Sequence, residues 1–209
     1  MKERPILFSG EMVKAVLDGR KTQTRRVIKF DPDKMKVEGG QIWTLRRGEW
    51  WPWTSTTYSP YGQPGDWLWV RETWQIHRLK GPTGLEFPNI LYRADSSTQL
   101  LIDKRVWQYV REKATWRPSI HMPRWASRIT SEILSLRVER VQDISEEDIR
   151  AEGLRFFSGG WLNHADDICY TNPILAFHRL WDSIYAKRGY GWNVNPWVWV
   201  IEFKKLETT

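Results

Sequence analysis

With 209 residues, a net charge of +7 and 15 tryptophans, the chain is large enough to bury a real core as one domain carrying insertions. It has no membrane-length apolar run, no signal-peptide h-region and one cysteine, Cys169, so a cytoplasmic, disulfide-free protein without a membrane partner is expected. Its histidines (His77, His121, His164, His178) are scattered without metal-ligand spacing, so neither a metal nor any other cofactor is expected.

Ser9 is placed to cap a short helix, spanning residues 9–19, with Met12, Val13, Val16 and Leu17 on one face and Gly19 as its left-handed exit. The following stretch to Arg26, G-R-K-T-Q-T-R-R, crowds Arg20, Lys21, Arg25 and Arg26 around Thr22 and Thr24. Thr24 to Phe30 reads as a strand, which puts Lys21, Thr22 and Thr24 on or beside a turn where side chains can converge on a ligand. The alternative is a solvated basic turn. In a regular strand positions 21 and 24 face opposite ways, so a shared site requires the turn to swing Lys21 round.

Gln41 to Arg47 and Glu49 to Thr57 read as two strands around a turn at Gly48. There Trp50, Trp51 and Trp53 lie beside Arg46 and Arg47, a mixture suited to packing or to stacking on unpaired bases. After the turn signal Gly62 to Asp66, Trp67 to Trp74 reads as a strand, Ile90 to Arg93 as a short one, and 98–113 as an imperfect helical pattern. Arg128 to Val141 is β-rich, and its alternation shifts at Ile133-Leu134, which implies a bulge.

Ser145-Glu-Glu-Asp148 opens a short helix that reaches Glu152 and stops at Gly153. Asn172-Pro173 opens another, to about Lys187, with Ile174, Phe177, Trp181, Ile184 and Tyr185 as its apolar face. Trp197 to Lys205 closes the chain as a strand, and the alternating pairs Trp67/Trp69 and Trp197/Trp199 read as wall or core. The sum is a mainly β, α+β chain: a barrel with helical insertions in a single domain, 1–209, with residues 75–118 and 154–171 as the insertions.

Charge concentrates at the N-terminal end. Residues 1–30 hold eight cations (Lys2, Arg4, Lys14, Arg20, Lys21, Arg25, Arg26, Lys29) against three anions (Glu3, Glu11, Asp18), or +5 of the total +7. Such a field favours a polyanion or a phosphorylated ligand.

The helix followed by G-R-K-T-Q-T-R-R resembles the signature of the ASCH family, whose domains share the PUA-like β-barrel. Further blocks are similar to prophage-encoded ASCH-type proteins: Pro5-Ile-Leu-Phe-Ser, Tyr61 to Trp74, Met122 to Arg128, Asp143 to Asp148 and Asn195 to Phe203. The resemblance implies a barrel of about five or six strands with the 9–19 helix on its mouth. It also implies an amidohydrolase that removes the acyl group of N4-acetylcytidine or a similar N4-acylated cytosine. By that resemblance Lys21 and Thr24 are the base and nucleophile and Glu152 is the acid; Glu72 is a competing acid because its own strand could face the same cleft. Arg20, Arg25 and Arg26 then hold phosphates and depress the Lys21 pKa, and Trp51 or Trp53 stacks on a base. The alternative it implies is a PUA-like module that binds RNA or a modified DNA base without catalysis. The expected partner is a nucleoside or nucleic acid, and nothing in the sequence indicates a protein partner.

Overall fold

Two long strands with alternating apolar residues form the spine of the molecule. The computed structural model describes residues 1–29, 35–38, 41–52, 59–80, 86–100 and 115–207. In it β10 (Thr130–Arg140) pairs antiparallel with β14 (Trp197–Lys205). Trp199, Ile201 and Phe203 of β14 join one apolar cluster, and Val198 and Val200 on its other face join a second, so this strand is buried on both sides.

Around that spine runs a five-stranded sheet. β1 (Glu3–Leu7) pairs parallel with β6 (Trp67–Arg71), β6 antiparallel with β10, and β14 antiparallel with β2 (Gln23–Val27). The order β1-β6-β10-β14-β2 is open, with β1 and β2 at its edges, so the backbone ladder does not close the expected barrel. One side chain crosses between the edges: Arg26 Nη2 donates to the Leu7 carbonyl at 2.6 Å.

Each face is covered by helix. The helix α1 (Gly10–Leu17) brings Val13 and Val16 to the first cluster; Ser9 Oγ accepts from the Met12 amide, and Gly19 leaves with φ 75°. Two further helices, α2 (Glu146–Ala151) and α3 (Pro173–Tyr185), bring Ile149, Phe177 and Trp181 to the second. The Asn172 side chain caps α3, which ends at Tyr185 rather than Lys187, and Ile174 of its expected apolar face is exposed.

Three small meanders complete the β-rich architecture: β3 (Met35–Glu38), β4 (Gln41–Arg46) and β5 (Glu49–Pro52); β7 (Trp74–Lys80), β8 (Glu86–Tyr92) and β9 (Thr98–Leu100); and β11 (Arg155–Phe157), β12 (Gly160–Asn163) and β13 (Ile168–Tyr170). The second falls in the stretch expected as the first insertion, and the third in the other.

Two element expectations change. Trp67 to Trp74 is interrupted at Glu72-Thr73, because β6 belongs to the central sheet and β7 to the meander. Thr98 to Leu100 is strand, paired with β8, not helix, and 101–114 lies outside the described residues. The bulge falls where the alternation shifts: the β10–β14 register slips between Ile133 and Ser135, which turns Leu134 out to solvent.

Candidate active site

The turn after α1 is held from three sides. The Arg20 and Lys21 amides both donate to the Ala15 carbonyl at 2.9 Å, the Thr22 amide donates to Ala151 at 2.9 Å, and Thr22 accepts from the Phe203 amide at 2.8 Å. These bonds swing Lys21 inward towards the end of α2. There Gly153 adopts φ 94°, and a Cβ on it would stand 2.9 Å from the Lys21 Cβ and 2.9 Å from the Ala15 Cβ. Only glycine satisfies both the left-handed backbone and this close approach.

Lys21 is thereby 2% exposed. Its Nζ donates to Glu152 Oε2 at 2.7 Å, to the Glu152 carbonyl at 2.8 Å and to the Gln23 carbonyl at 2.8 Å. Three acceptors match the three protons of an ammonium. Burial pushes the Lys21 pKa below its ordinary value; Glu152 opposes the shift, and Arg26 and Arg25 add to it.

The pair belongs to a larger charged network. Glu152 Oε1 lies 3.4 Å from Arg25 Nη1, and Arg25 also donates to Glu139 and, at 2.8 Å, to Asp148. Asp148 further accepts from Gln23 Nε2 at 2.9 Å and Arg137 Nη2 at 2.8 Å. Burial alone would raise the Asp148 pKa, but these hydrogen bonds and the charge of Arg25 outweigh it and bring it down to about 2.

Above the pair lies a cavity of about 380 Å³, with Thr24, Arg26 and Glu152 on one side and Phe177, Trp181 and Tyr185 on the other. Thr24 is buried, and its hydroxyl has no hydrogen-bond partner among the described residues. Glu152 and Thr24 therefore share this cavity. Lys21 lines the neighbouring cleft with Gln23 and Asp148, and its Nζ stands 5.6 Å from the ring of Phe8, a cavity residue. The arrangement offers an unpartnered hydroxyl, a carboxylate in contact with an amine of lowered pKa, and aromatic walls for a planar ligand.

The other candidates separate. Arg20 is tied to Asp18 at 2.9 Å and to the Gly153 carbonyl at 2.7 Å, and Arg25 is enclosed by three carboxylates, so neither is free to hold a phosphate. Arg26 does reach the cavity, 5.3 Å from the Phe8 ring, and its buried Nε has no partner among the described residues. Glu72 is buried in a bidentate pair with Arg128, at 2.8 and 2.9 Å, and lines a different compartment from Thr24. Burial raises its pKa and Arg128 counters. Trp51 stands 51% exposed on β5 beside Arg46 and Arg47, away from the cavity, while Trp53 lies outside the described residues.

Sequence reasoning did not connect Phe8 or Arg188 with the site, and it read Phe177, Trp181 and Tyr185 as core. The signal for the last three was their i, i+4 spacing, which marks an inward face without distinguishing core from cavity wall. Among the described residues no group of His, Cys, Asp and Glu could hold a metal ion, and no helix is long and apolar enough to cross a membrane. Comparison with known families, curated proteins and solved structures finds no match to this chain.

Proposed function

We propose that the chain is an ASCH-type protein of PUA-like fold that hydrolyses the exocyclic amide of an N4-acylated cytosine. The observation that carries this reading is the buried contact of Lys21 Nζ with Glu152 Oε2, 2.7 Å, whose carboxylate lines the same aromatic cavity as Thr24. The link from Arg26 to Leu7 between the edge strands, and the packing of α1 on the sheet, support the fold.

In this mechanism Lys21 first passes a proton to Glu152, which turns the ion pair into a neutral pair; burial lowers the cost of that exchange. The free amine takes the Thr24 proton as the hydroxyl attacks the acyl carbonyl. Collapse of the tetrahedral adduct breaks the C–N bond, the cytosine amine takes the proton held by Glu152, and the acyl group stays on Thr24. Water then attacks the ester, giving its proton to the Glu152 carboxylate, and the carboxylic acid departs as the Thr24 alkoxide recovers a proton from Lys21. The neutral pair left behind returns to the ion pair by proton transfer from Glu152 to Lys21.

A second reading, a PUA-like module that binds RNA or a modified base without turnover, has its own support. The Lys21 ammonium has all three protons engaged, which leaves no lone pair for a base. Chromatography of the purified protein with N4-acetylcytidine separates the two. The hydrolase reading expects cytidine and acetate, with a rate that falls as pH rises through the lowered Lys21 pKa, because the proton that Lys21 hands to Glu152 for the leaving amine is then gone. It also expects Thr24→Ala to abolish turnover while stability changes by about 1 kcal/mol or less, because that hydroxyl has no hydrogen bond to lose. No release by the wild type would sink the hydrolase and leave the module.

A further inference from the structure

We infer that the ligand of this site is a single-stranded oligonucleotide, with one base in the Thr24–Glu152 cavity and its phosphodiesters on Arg26, Arg188 and Arg93; this rests on the nucleobase reading above. The cavity of about 380 Å³ does not end at its own walls. Ser9, Met12, Thr73, Leu180 and Ile184 line both it and a second compartment of about 580 Å³, so the two form one groove. One side of this groove is built from the turns after β1 and β6, the other from α3. The inner compartment already has the size of a small-molecule site, so the outer one is space that a lone nucleoside does not need.

The charges along the groove are unequal. Each carboxylate on its lining has a cation: Glu11 has Lys14 at 2.8 Å, Glu72 has Arg128 at 2.8 Å, and Glu152 has Lys21 at 2.7 Å. Arg26 and Arg188 of the inner compartment and Arg93 of the outer one make no ion pair with a described residue. All three guanidiniums lie near an aromatic ring instead, Arg26 by Phe8 at 5.3 Å, Arg188 by Tyr185 at 5.9 Å and Arg93 by Trp116 at 5.8 Å. Arg93 and Arg188, parked against their rings, keep a donor edge open for bidentate contact with a phosphate, whereas Arg26, whose Nη2 is taken by the Leu7 carbonyl, offers only its remaining donors. Cations spaced along a groove that also holds an aromatic pocket fit a backbone alternating phosphates with stacking bases, whereas an acidic peptide offers nothing for the pocket.

Fluorescence anisotropy of short labelled single strands, RNA and DNA separately, tests this on the full chain. Arg93→Ala and Arg188→Ala are each expected to weaken binding about tenfold and to reduce the salt slope by about one. Both side chains are exposed, so the melting temperature serves as a control for folding. A preference for one sugar tells which polymer is the ligand. Unchanged affinity in both variants, or binding of polyglutamate as tightly as of the strands, overturns the inference. If the strands bind in this arginine-dependent way but no amide is cleaved, only the hydrolase reading fails; if N4-acetylcytidine is cleaved while both variants bind strands like the wild type, only the oligonucleotide fails.

Discussion

Lys21 has three acceptors and one buried counter-charge, so losing one member of its pair differs from losing both. Lys21→Met leaves Glu152 Oε2 facing an apolar side chain, with Arg25 at 3.4 Å from Oε1 as its remaining cation, and is expected to cost about 3–5 kcal/mol. Adding Glu152→Gln removes the carboxylate charge, and the double variant is expected to recover at least about 1 kcal/mol of that loss. Urea unfolding of the wild type, the two single variants and the double variant measures the coupling, and strict additivity would mean that the pair does not act as a unit. The participants were partly legible: Lys21 and Thr24 from the basic turn, and Glu152 from the helix signal at Ser145, with the roles supplied by the family resemblance. Their geometry was not, because strand spacing sets positions 21 and 24 on opposite faces. The bonds that swing Lys21 inward reach Ala15, Ala151 and Phe203, partners whose proximity only the fold creates.

At the level of elements, α2 owes its position to its last turn. Gly153→Ala forces a side chain into φ 94° and presses a Cβ to 2.9 Å from Lys21 and Ala15, with an expected cost of about 2–4 kcal/mol. Gly19→Ala shares the strain at φ 75° but meets nothing within 4 Å, so about 1 kcal/mol is expected. Thermal melting of the two variants compares strain alone with strain plus contact; equal shifts would show that the close approach carries no weight. Helix starts were legible because caps are local: Ser9, Ser145 and Asn172 each accept from an amide of the first turn they were read to cap. The break inside Trp67 to Trp74 was not. It depends on Arg128, 56 residues away, drawing Glu72 out of the strand pattern, and on β7 finding partners in another sheet.

Across the whole molecule, net charge is a poor guide to free charge. Of the cations counted in the basic N-terminal segment, Lys14, Arg20, Lys21 and Arg25 are paired with carboxylates, several from distant strands and helices. This pairing sets the response to acid. The Asp148 carboxyl is lowered from 3.8 to about 2, so its contribution is present above pH 3.8 and lost as pH falls towards 2; Asp95, also at about 2, follows the same sign. Glu72 runs the other way. Its pKa is raised above 4.5, so protonating it as pH falls towards 4.5 favours the folded state. Stability is therefore expected to hold or rise down to about pH 4.5 and to fall below 3.8. Asp148→Asn should flatten that acid limb in urea titrations across pH; an unchanged limb would assign the loss to other carboxyls.

The open order of the central sheet leaves β1 and β2 as strand edges, the places where a foreign strand can add itself by backbone pairing. Cations already occupy a carbonyl on each: the Lys21 ammonium takes that of Gln23 in β2, and the Arg26 guanidinium takes that of Leu7 in β1. An invading strand would have to displace a buried ammonium at one edge and break the strap between the edges at the other. The basic turn thus shields the sheet from unwanted templating.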